Sequence, residues 1–420
     1  YTWQETAKKA LNALAQPLPA ASNDKPRLAI FAPDPAGYSS IGRITQLMHP
    51  TLSRYFKIDY YLEKTREGNT FSRPCYLAEI ANIYPSSYFN AKRYADYDAV
   101  LYHLGNSEYH LDTIKNALHL PGFIITHDLN LTNVFEGVLG RFAYMEPQRL
   151  AAERTLDELL KTTKTSRLTS LVNASLGAIT HSKYAAEAVS EIDQHGSLPI
   201  LSTQLPTAVP KLDRVNLEGR FKLGFGGIIN PVKGVSLVDQ IINSDDLRQV
   251  DIHIFGIPLM SPAELDRLQS LPNVTVETNL SDFAFESRLS AMDAIVNYRP
   301  QYNGESSQTV IDALRYGVVP IVRRIGWFDE LPDDCVEKVD SEDEVLAAVT
   351  RLVTKADYLK QKKQAAKQYA VDTYGYERYA DQLQKFIIDN YSNAKTPNGK
   401  LAAAIRAGAK KSDLLKQLKG

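Results

Sequence analysis

The sequence predicts an α/β protein of two similarly sized domains, each a parallel sheet covered by helices, facing each other across a cleft. Three observations predict it. Short apolar runs of strand length alternate with amphipathic stretches of helix length along most of the chain, the pattern of strand–helix–strand units. The alternation breaks once, at 202–220, where Pro206 and Pro210 stand without apolar periodicity, and then resumes. The length of 420 residues suits two or three domains, and 44% hydrophobic against 23% charged residues can build ordinary cores.

In chain order, residues 1–24 read as a leading amphipathic helix. The run Tyr1-Thr2-Trp3-Gln4-Glu5-Thr6-Ala7 repeats the pattern of Tyr374-Gly375-Tyr376-Glu377-Arg378-Tyr379-Ala380. This echo predicts that 1–24 close a preceding, similar domain and that the chain is one piece of a longer multi-domain polypeptide. Residues 25–205 form the first domain, with strands predicted at 27–33, 56–62, 98–104, 122–128 and 177–182. Several of these runs end in polar residues: His103 and Asn106, His127 and Asp128, His181 and Ser182. Open parallel sheets bind ligands beyond the carboxyl ends of their strands. His and Asp also serve as plain strand-to-helix punctuation, but repetition over successive strands favours a site. Residues 206–220 are the linker. The second domain, 221–373, has predicted strands at 221–227, 251–256, 274–278, 293–299 and 318–324, and helices at 236–244 and 263–271. A closing helix follows at 374–392. The tail, 393–420, carries seven Lys/Arg against one Asp, has apolar residues at roughly helical spacing, and could touch an anionic membrane surface or another domain.

Composition excludes several classes. A formal net charge of -1 gives no global field to attract nucleic acid. The two cysteines, Cys75 and Cys335, are far apart and near no histidine cluster, so neither a disulfide framework nor a zinc site is expected, and a reducing compartment fits. No apolar run approaches the ~20 residues that cross a bilayer. A cytoplasmic protein, with peripheral contact at the inner face of the membrane as an option, is the expectation.

The segment at 302–322, YNGESSQTVIDALRYGVVPIV, carries the chemistry. Tyr-Asn-Gly makes a turn, Glu305 stands at its exit, and Ser306 and Ser307 are good caps for a helix. Val310, Ile311 and Leu314 mark one buried face, Gly317 ends the helix, and VVPIV is the next strand. Such a helix start offers unpaired N–H groups and the positive end of the dipole to a phosphate. Asp312 lies about two turns in, where a carboxylate could accept ribose hydroxyls.

This segment resembles the acidic signature of the family 4 retaining glycosyltransferases, in particular a bacterial polysaccharide-assembly branch. The branch reads Gly-Glu-Ser-Ser, then Ala-Leu-x-x-Gly, then Gly-Trp-Phe-x-Glu-Leu-Pro. Here these are Gly304-Glu305-Ser306-Ser307, Ala313-Leu314-Arg315-Tyr316-Gly317 and Gly326-Trp327-Phe328-Asp329-Glu330-Leu331-Pro332. The resemblance covers roughly 26–392 and is densest over 224–332. It implies the GT-B architecture: two Rossmann-like domains with parallel sheets facing across a cleft.

The resemblance also implies roles. Glu305, His127 and Lys233 would be catalytic. Gly226, Gly227, Lys233, Gly256, Glu305, Ser306, Ser307, Gln308 and Asp312 would hold the donor. Gly37, Arg43, His103, Asn106, His110 and Asp128 would lie on the acceptor side. Two departures stand out. The spacing from Glu305 to Asp312 is one residue shorter than the family's, and Gly227 stands where the family usually carries an arginine ahead of the lysine. The implied reaction moves a hexose or deoxyhexose from a nucleotide-sugar, GDP-mannose or dTDP-rhamnose first, to a glycan or lipid-linked glycan with retention. Neither cofactor nor metal is implied. The competing expectation is a degenerate domain that binds glycan, or acts as a scaffold, within a tandem enzyme.

Overall fold

The computed structural model describes residues 25–37, 39–63, 75–135, 166–194, 196–207, 219–230, 234–300 and 302–395. The helix expected at 1–24, residues 208–218 of the linker expected at 206–220, Lys233 and the tail beyond residue 395 lie outside them.

The first domain is a seven-stranded sheet in the order β3-β2-β1-β4-β5-β6-β7. Its strands are β1 (Arg27–Pro33), β2 (Lys57–Glu63), β3 (Asn82–Pro85), β4 (Ala99–Leu104), β5 (Phe123–Thr126), β6 (Gly177–Thr180) and β7 (Ile200–Ser202). The second is a six-stranded sheet in the order β10-β9-β8-β11-β12-β13. It comprises β8 (Lys222–Ile229), β9 (Asp251–Pro258), β10 (Val274–Thr278), β11 (Ala294–Asn297), β12 (Val319–Arg323) and β13 (Glu337–Val339). Every pairing is parallel. Helices cover both faces of such a sheet, which is why the central strands read as unbroken apolar runs rather than alternating ones. The strands the sequence did not predict, β3, β7 and β13, are edge strands of three or four residues.

In each sheet the strand order reverses once, between β1 and β4 and between β8 and β11. These switch points open crevices at the carboxyl ends of the strands, where ligands bind in such folds. The chain then returns to the first domain. The Tyr376–Lys395 helix packs on the Ser40–Leu52 helix. Tyr55 Oη donates to Asp381 at 2.5 Å, Thr203 Oγ1 donates to Gln382 at 2.5 Å, and the Phe386 ring meets Phe123. One apolar core therefore runs from Leu28 and Ile30 of the first sheet through Leu383 and Ile387 to Ile311 and Leu314 of the second domain. Among the described residues no helix is long and apolar enough to cross a membrane.

Candidate functional site

The second domain contributes a loop and a helix start. Gly304, with φ 86°, lets the 302–305 turn press against the first domain, where a Cβ would lie 2.4 Å from the Leu129 side chain. The turn is bonded there: Leu129 and Asn130 N–H donate to the Asn303 carbonyl at 2.7 and 3.1 Å. Glu305 follows. Its Oε2 accepts Asn303 N–H at 2.9 Å, and its Oε1 is in contact with Arg299 Nη1. Arg299 is further fixed by Nε donating to Asn297 Oδ1 at 3.0 Å and Nη2 to Ser307 Oγ at 3.3 Å, with its guanidinium 5.4 Å from the Phe328 ring centroid. Burial lowers the Arg299 pKa to about 10, against the opposing charge of Asp128, so the group is still a cation at neutral pH.

Ser307 occupies the cap position of the Gln308–Arg315 helix, but its hydroxyl meets Arg299 and makes no cap bond. The first-turn N–H groups of a helix have no partner within the helix, so this one meets its surroundings without a side-chain cap. Ser306 Oγ instead reaches across the domains and donates to the His181 carbonyl at 3.2 Å.

The first domain contributes His103, His127 and His181 at or just beyond the ends of the adjacent strands β4, β5 and β6, and His110 in the short turn of helix at Glu108–His110. His103 Nδ1 and His127 Nε2 are 2.9 Å apart with stacked rings. The His127 ring also meets His181, and His181 meets Tyr379. His110 Nδ1 donates to the His103 carbonyl at 2.8 Å. Burial lowers His103 to about 3, His110 and His181 to about 4, and His127 well below the usual imidazole value, with neighbouring imidazoles adding to the shifts of His103 and His127. All four are neutral at pH 7. Asp128 Oδ2 accepts Asn106 N–H at 2.7 Å, and burial raises its pKa to about 6 against the pull of Arg299. Asn106 Oδ1 takes Asn133 N–H at 2.8 Å, so Asn106 braces the loop from behind.

The chain is similar to sucrose-phosphate synthase from Thermosynechococcus elongatus, with TM-score 0.62 and 14% identity over 88% of this chain and 100% of that one. It is similar to the HepE protein of Anabaena in complex with UDP-glucose, with TM-score 0.62 and 12% identity over 87% and 100%. It is also similar to WaaG, a glycosyltransferase involved in lipopolysaccharide biosynthesis, with TM-score 0.58 and 13% identity over 86% and 99%. The fold is GT-B. No family model matches the chain, and no curated protein matches it in sequence.

On this GT-B frame the expected site residues fall into three groups. Glu305, Ser306, Ser307, His127 and Asp128 meet at the domain junction. His103 and His110, expected on the acceptor side, are 7% and 1% exposed; His103 Nδ1 lies against His127 Nε2, and His110 bonds the His103 carbonyl. A third group is engaged in holding the protein together. Arg43, expected on the acceptor side, is bound by carboxylates of the second domain, at 3.2 Å from Asp282, 2.6 Å from Glu286 and 4.0 Å from Asp312. The Asp312 Oδ1 expected to serve the ribose already accepts Thr207 Oγ1 at 2.7 Å, Gln308 Nε2 at 2.9 Å and Arg315 Nη1 at 3.2 Å. Gly226, Gly227 and Gly256 lie inside β8 and β9 rather than after them. Gly227 and Gly256 face each other in register with φ 102° and 138°, and a Cβ at 256 would sit 1.8 Å from the Gly227 carbonyl oxygen. Strand packing alone therefore demands glycine at 256. Gly37 closes the turn after β1, donating its N–H to the Asp34 carbonyl at 3.0 Å.

Sequence reading missed Arg299 and Glu330 as parts of this assembly. Arg299 ends the predicted 293–299 run, and its signal was its position at the carboxyl end of a strand. Glu330 lies within the Gly-Trp-Phe-x-Glu motif. Its carboxylate accepts Lys183 N–H at 3.0 Å and Tyr184 N–H at 2.7 Å, capping a helix of the other domain. The rest of that motif builds the wall: Tyr302 Oη accepts Trp327 N–H at 2.9 Å, and Phe328 is the platform under Arg299. Among the described residues, Asn297 Nδ2, Gln308 Oε1 and both His181 ring nitrogens near the Glu305 loop are buried without a hydrogen-bond partner.

Proposed function

We propose that this chain is a glycosyltransferase that moves a sugar from a nucleotide-sugar donor to a glycan acceptor. The observation that carries the reading is Glu305. A carboxylate is held by Arg299 and a backbone N–H at the start of the Gln308–Arg315 helix, and its loop is bonded directly to the His127–Asp128 loop of the other domain. A donor diphosphate at the helix start would place its sugar beside Glu305 and His127. The likeness to HepE, solved with UDP-glucose, and to the glycosyltransferase WaaG supports this reading.

In the proposed reaction, Lys233 and the N–H groups near Ser306 and Ser307 stabilise the charge that develops on the leaving diphosphate. Preorganised donors in a water-poor site are effective at this. Glu305 stabilises positive charge at the reacting sugar carbon, and His127 orients hydroxyls. His127 Nε2 is shared with His103, which leaves Nδ1 for the substrate. We take the transfer to proceed with retention and without metal, the sugar to be a hexose or deoxyhexose carried by GDP or dTDP, and the acceptor to be a growing, lipid-linked glycan of a bacterial surface polysaccharide such as an O-antigen or capsule. The site would then work in the cytoplasm, at the inner face of the membrane, alongside other domains of the same polypeptide.

A second reading has its own observation. With Gly227 replacing the usual arginine, and Arg43 and Asp312 committed to the domain interface, the chain would be a GT-B module that binds glycan without transferring sugar. One experiment separates the two: thermal shift with GDP, UDP and dTDP, followed by hydrolysis of the matching sugar nucleotides. A ligand at ~100 times its dissociation constant stabilises the folded state by ~2.7 kcal/mol. A clear shift with one nucleotide together with hydrolysis of its sugar conjugate supports transfer. No shift with any nucleotide leaves the binding-module reading.

A further inference from the structure

We propose that Arg299 is the positioning residue for Glu305, holding that carboxylate at the helix start in the one orientation that faces the transferred sugar. The proposal rests on the glycosyl-transfer reading of the same site and deepens it.

Glu305 sits on a short loop after a glycine, where a carboxylate side chain by itself samples several rotamers. Two contacts remove that freedom: the Asn303 N–H on Oε2 and Arg299 on Oε1. The first is local to the turn. The second ties Glu305 to the core, because Arg299 is itself fixed by Asn297 at the end of β11, by Ser307 at the helix cap and by the Phe328 ring. The pair is largely shielded from water, with 11% and 15% of the two side chains exposed. A planar guanidinium satisfies Asn297, Ser307 and Glu305 together, whereas a lysine ammonium on a flexible stem offers no such fork. A carboxylate preset in this way needs no reordering when the donor arrives.

Position 227 has φ 102° and lies in register against Gly256, so a long L-side chain there is strained. β11 is the neighbour of β8, and Arg299 follows its carboxyl end. Its guanidinium nitrogens are taken by protein groups, so Arg299 acts through Glu305 rather than as a ligand for phosphate.

The test compares Arg299→Ala and Arg299→Lys with the wild-type chain, using UDP, GDP and dTDP in calorimetry and UDP-glucose, GDP-mannose and dTDP-rhamnose in donor hydrolysis. R299A is expected to keep the wild-type affinity for nucleoside diphosphate and to lose kcat by on the order of 100-fold, as for loss of a transition-state electrostatic group. Millimolar guanidinium ion should restore about a tenfold part of that loss in R299A, a response that general loosening of the loop would not give. R299K should bind nucleotide normally, turn over slowly and resist rescue; it also serves as the test should R299A fail to fold. Unchanged kcat in both variants overturns the proposal. So does a large loss of nucleoside diphosphate affinity at unchanged kcat, which would make Arg299 a phosphate ligand. A wild-type chain that neither binds nor hydrolyses any of the probes removes the glycosyl-transfer reading and this proposal with it, an outcome distinct from wild-type turnover that survives the substitutions.

Discussion

Replacing Arg43 by methionine should loosen the closure of the two domains. Arg43 belongs to the first domain, while its partners Asp282, Glu286 and Asp312 all belong to the second. Removing one partner of a fully buried ion pair costs about 3–5 kcal/mol, because the charge left behind stays desolvated. Here the shielding is partial: Arg43 is 20% exposed and Asp282 37%, and exposed pairs contribute little. The buried member is Asp312 at 5%, but it keeps Arg315, Thr207 and Gln308. Discounting accordingly leaves about 2 kcal/mol, most of it from Glu286, which corresponds to a roughly 30-fold shift toward open forms. Methionine preserves much of the apolar stem packing, so the domains' own stability should change little. Small-angle scattering should show a larger radius of gyration for R43M than for wild type without nucleotide, and Arg43→Lys should fall between them. A scattering curve identical to wild type, at an unchanged melting temperature, would refute the latch.

Three further outcomes are expected. Glu305→Gln keeps the shape of the side chain and removes the charge facing Arg299, so turnover in donor hydrolysis should fall by at least ~100-fold; near-normal turnover would take Glu305 out of the chemistry. Gly256→Ala places a Cβ 1.8 Å from a backbone oxygen at φ 138°, and urea denaturation should show a loss of about 4 kcal/mol or more, in the range reserved for strained or overpacked sites; a loss under about 1 kcal/mol would mean that β8 and β9 readjust freely. Acid should destabilise the protein from about pH 6.5 downward. His103, His110 and His181 titrate at about 3 to 4 when folded and near 6.5 when unfolded, so below pH 6.5 the unfolded chain takes up more protons and stability falls toward pH 4. Asp128 and Glu63, raised by burial to about 6 and 7, act the other way over the same window, but they are two groups against the buried histidines, which include His127. A urea midpoint at pH 5 equal to or above that at pH 7.5 would contradict this balance, and His103→Phe should flatten the slope.

Much of the architecture was determined by local sequence. Buried parallel strands leave apolar runs, as in 27–33 and 319–322, and helices between them keep an amphipathic period, so two α/β domains follow from pattern alone. The Glu305 loop and the helix after it were legible for the same reason: a glycine turn, two serines, an apolar face and a terminal glycine lie within one short stretch. Strands β3, β7 and β13 were not, because three or four residues at a sheet edge carry no period.

What only the tertiary structure decided is which charged group meets which. Arg43 and Glu286 are 243 residues apart in the chain and 2.6 Å apart in space, and nothing local to either announces the other. The same holds for Glu330, which caps a helix of the opposite domain, and for His103, whose place behind His127 follows from β4 and β5 being neighbours in the sheet. Residue type and spacing specify what a side chain can do, but an ionic or hydrogen-bonding group spends that capacity on whatever the fold brings within about 3 Å. Sequence could therefore single out Glu305 as a candidate, and the packing of the two domains made Arg299 its partner and set Arg43 against Glu286 at the interface.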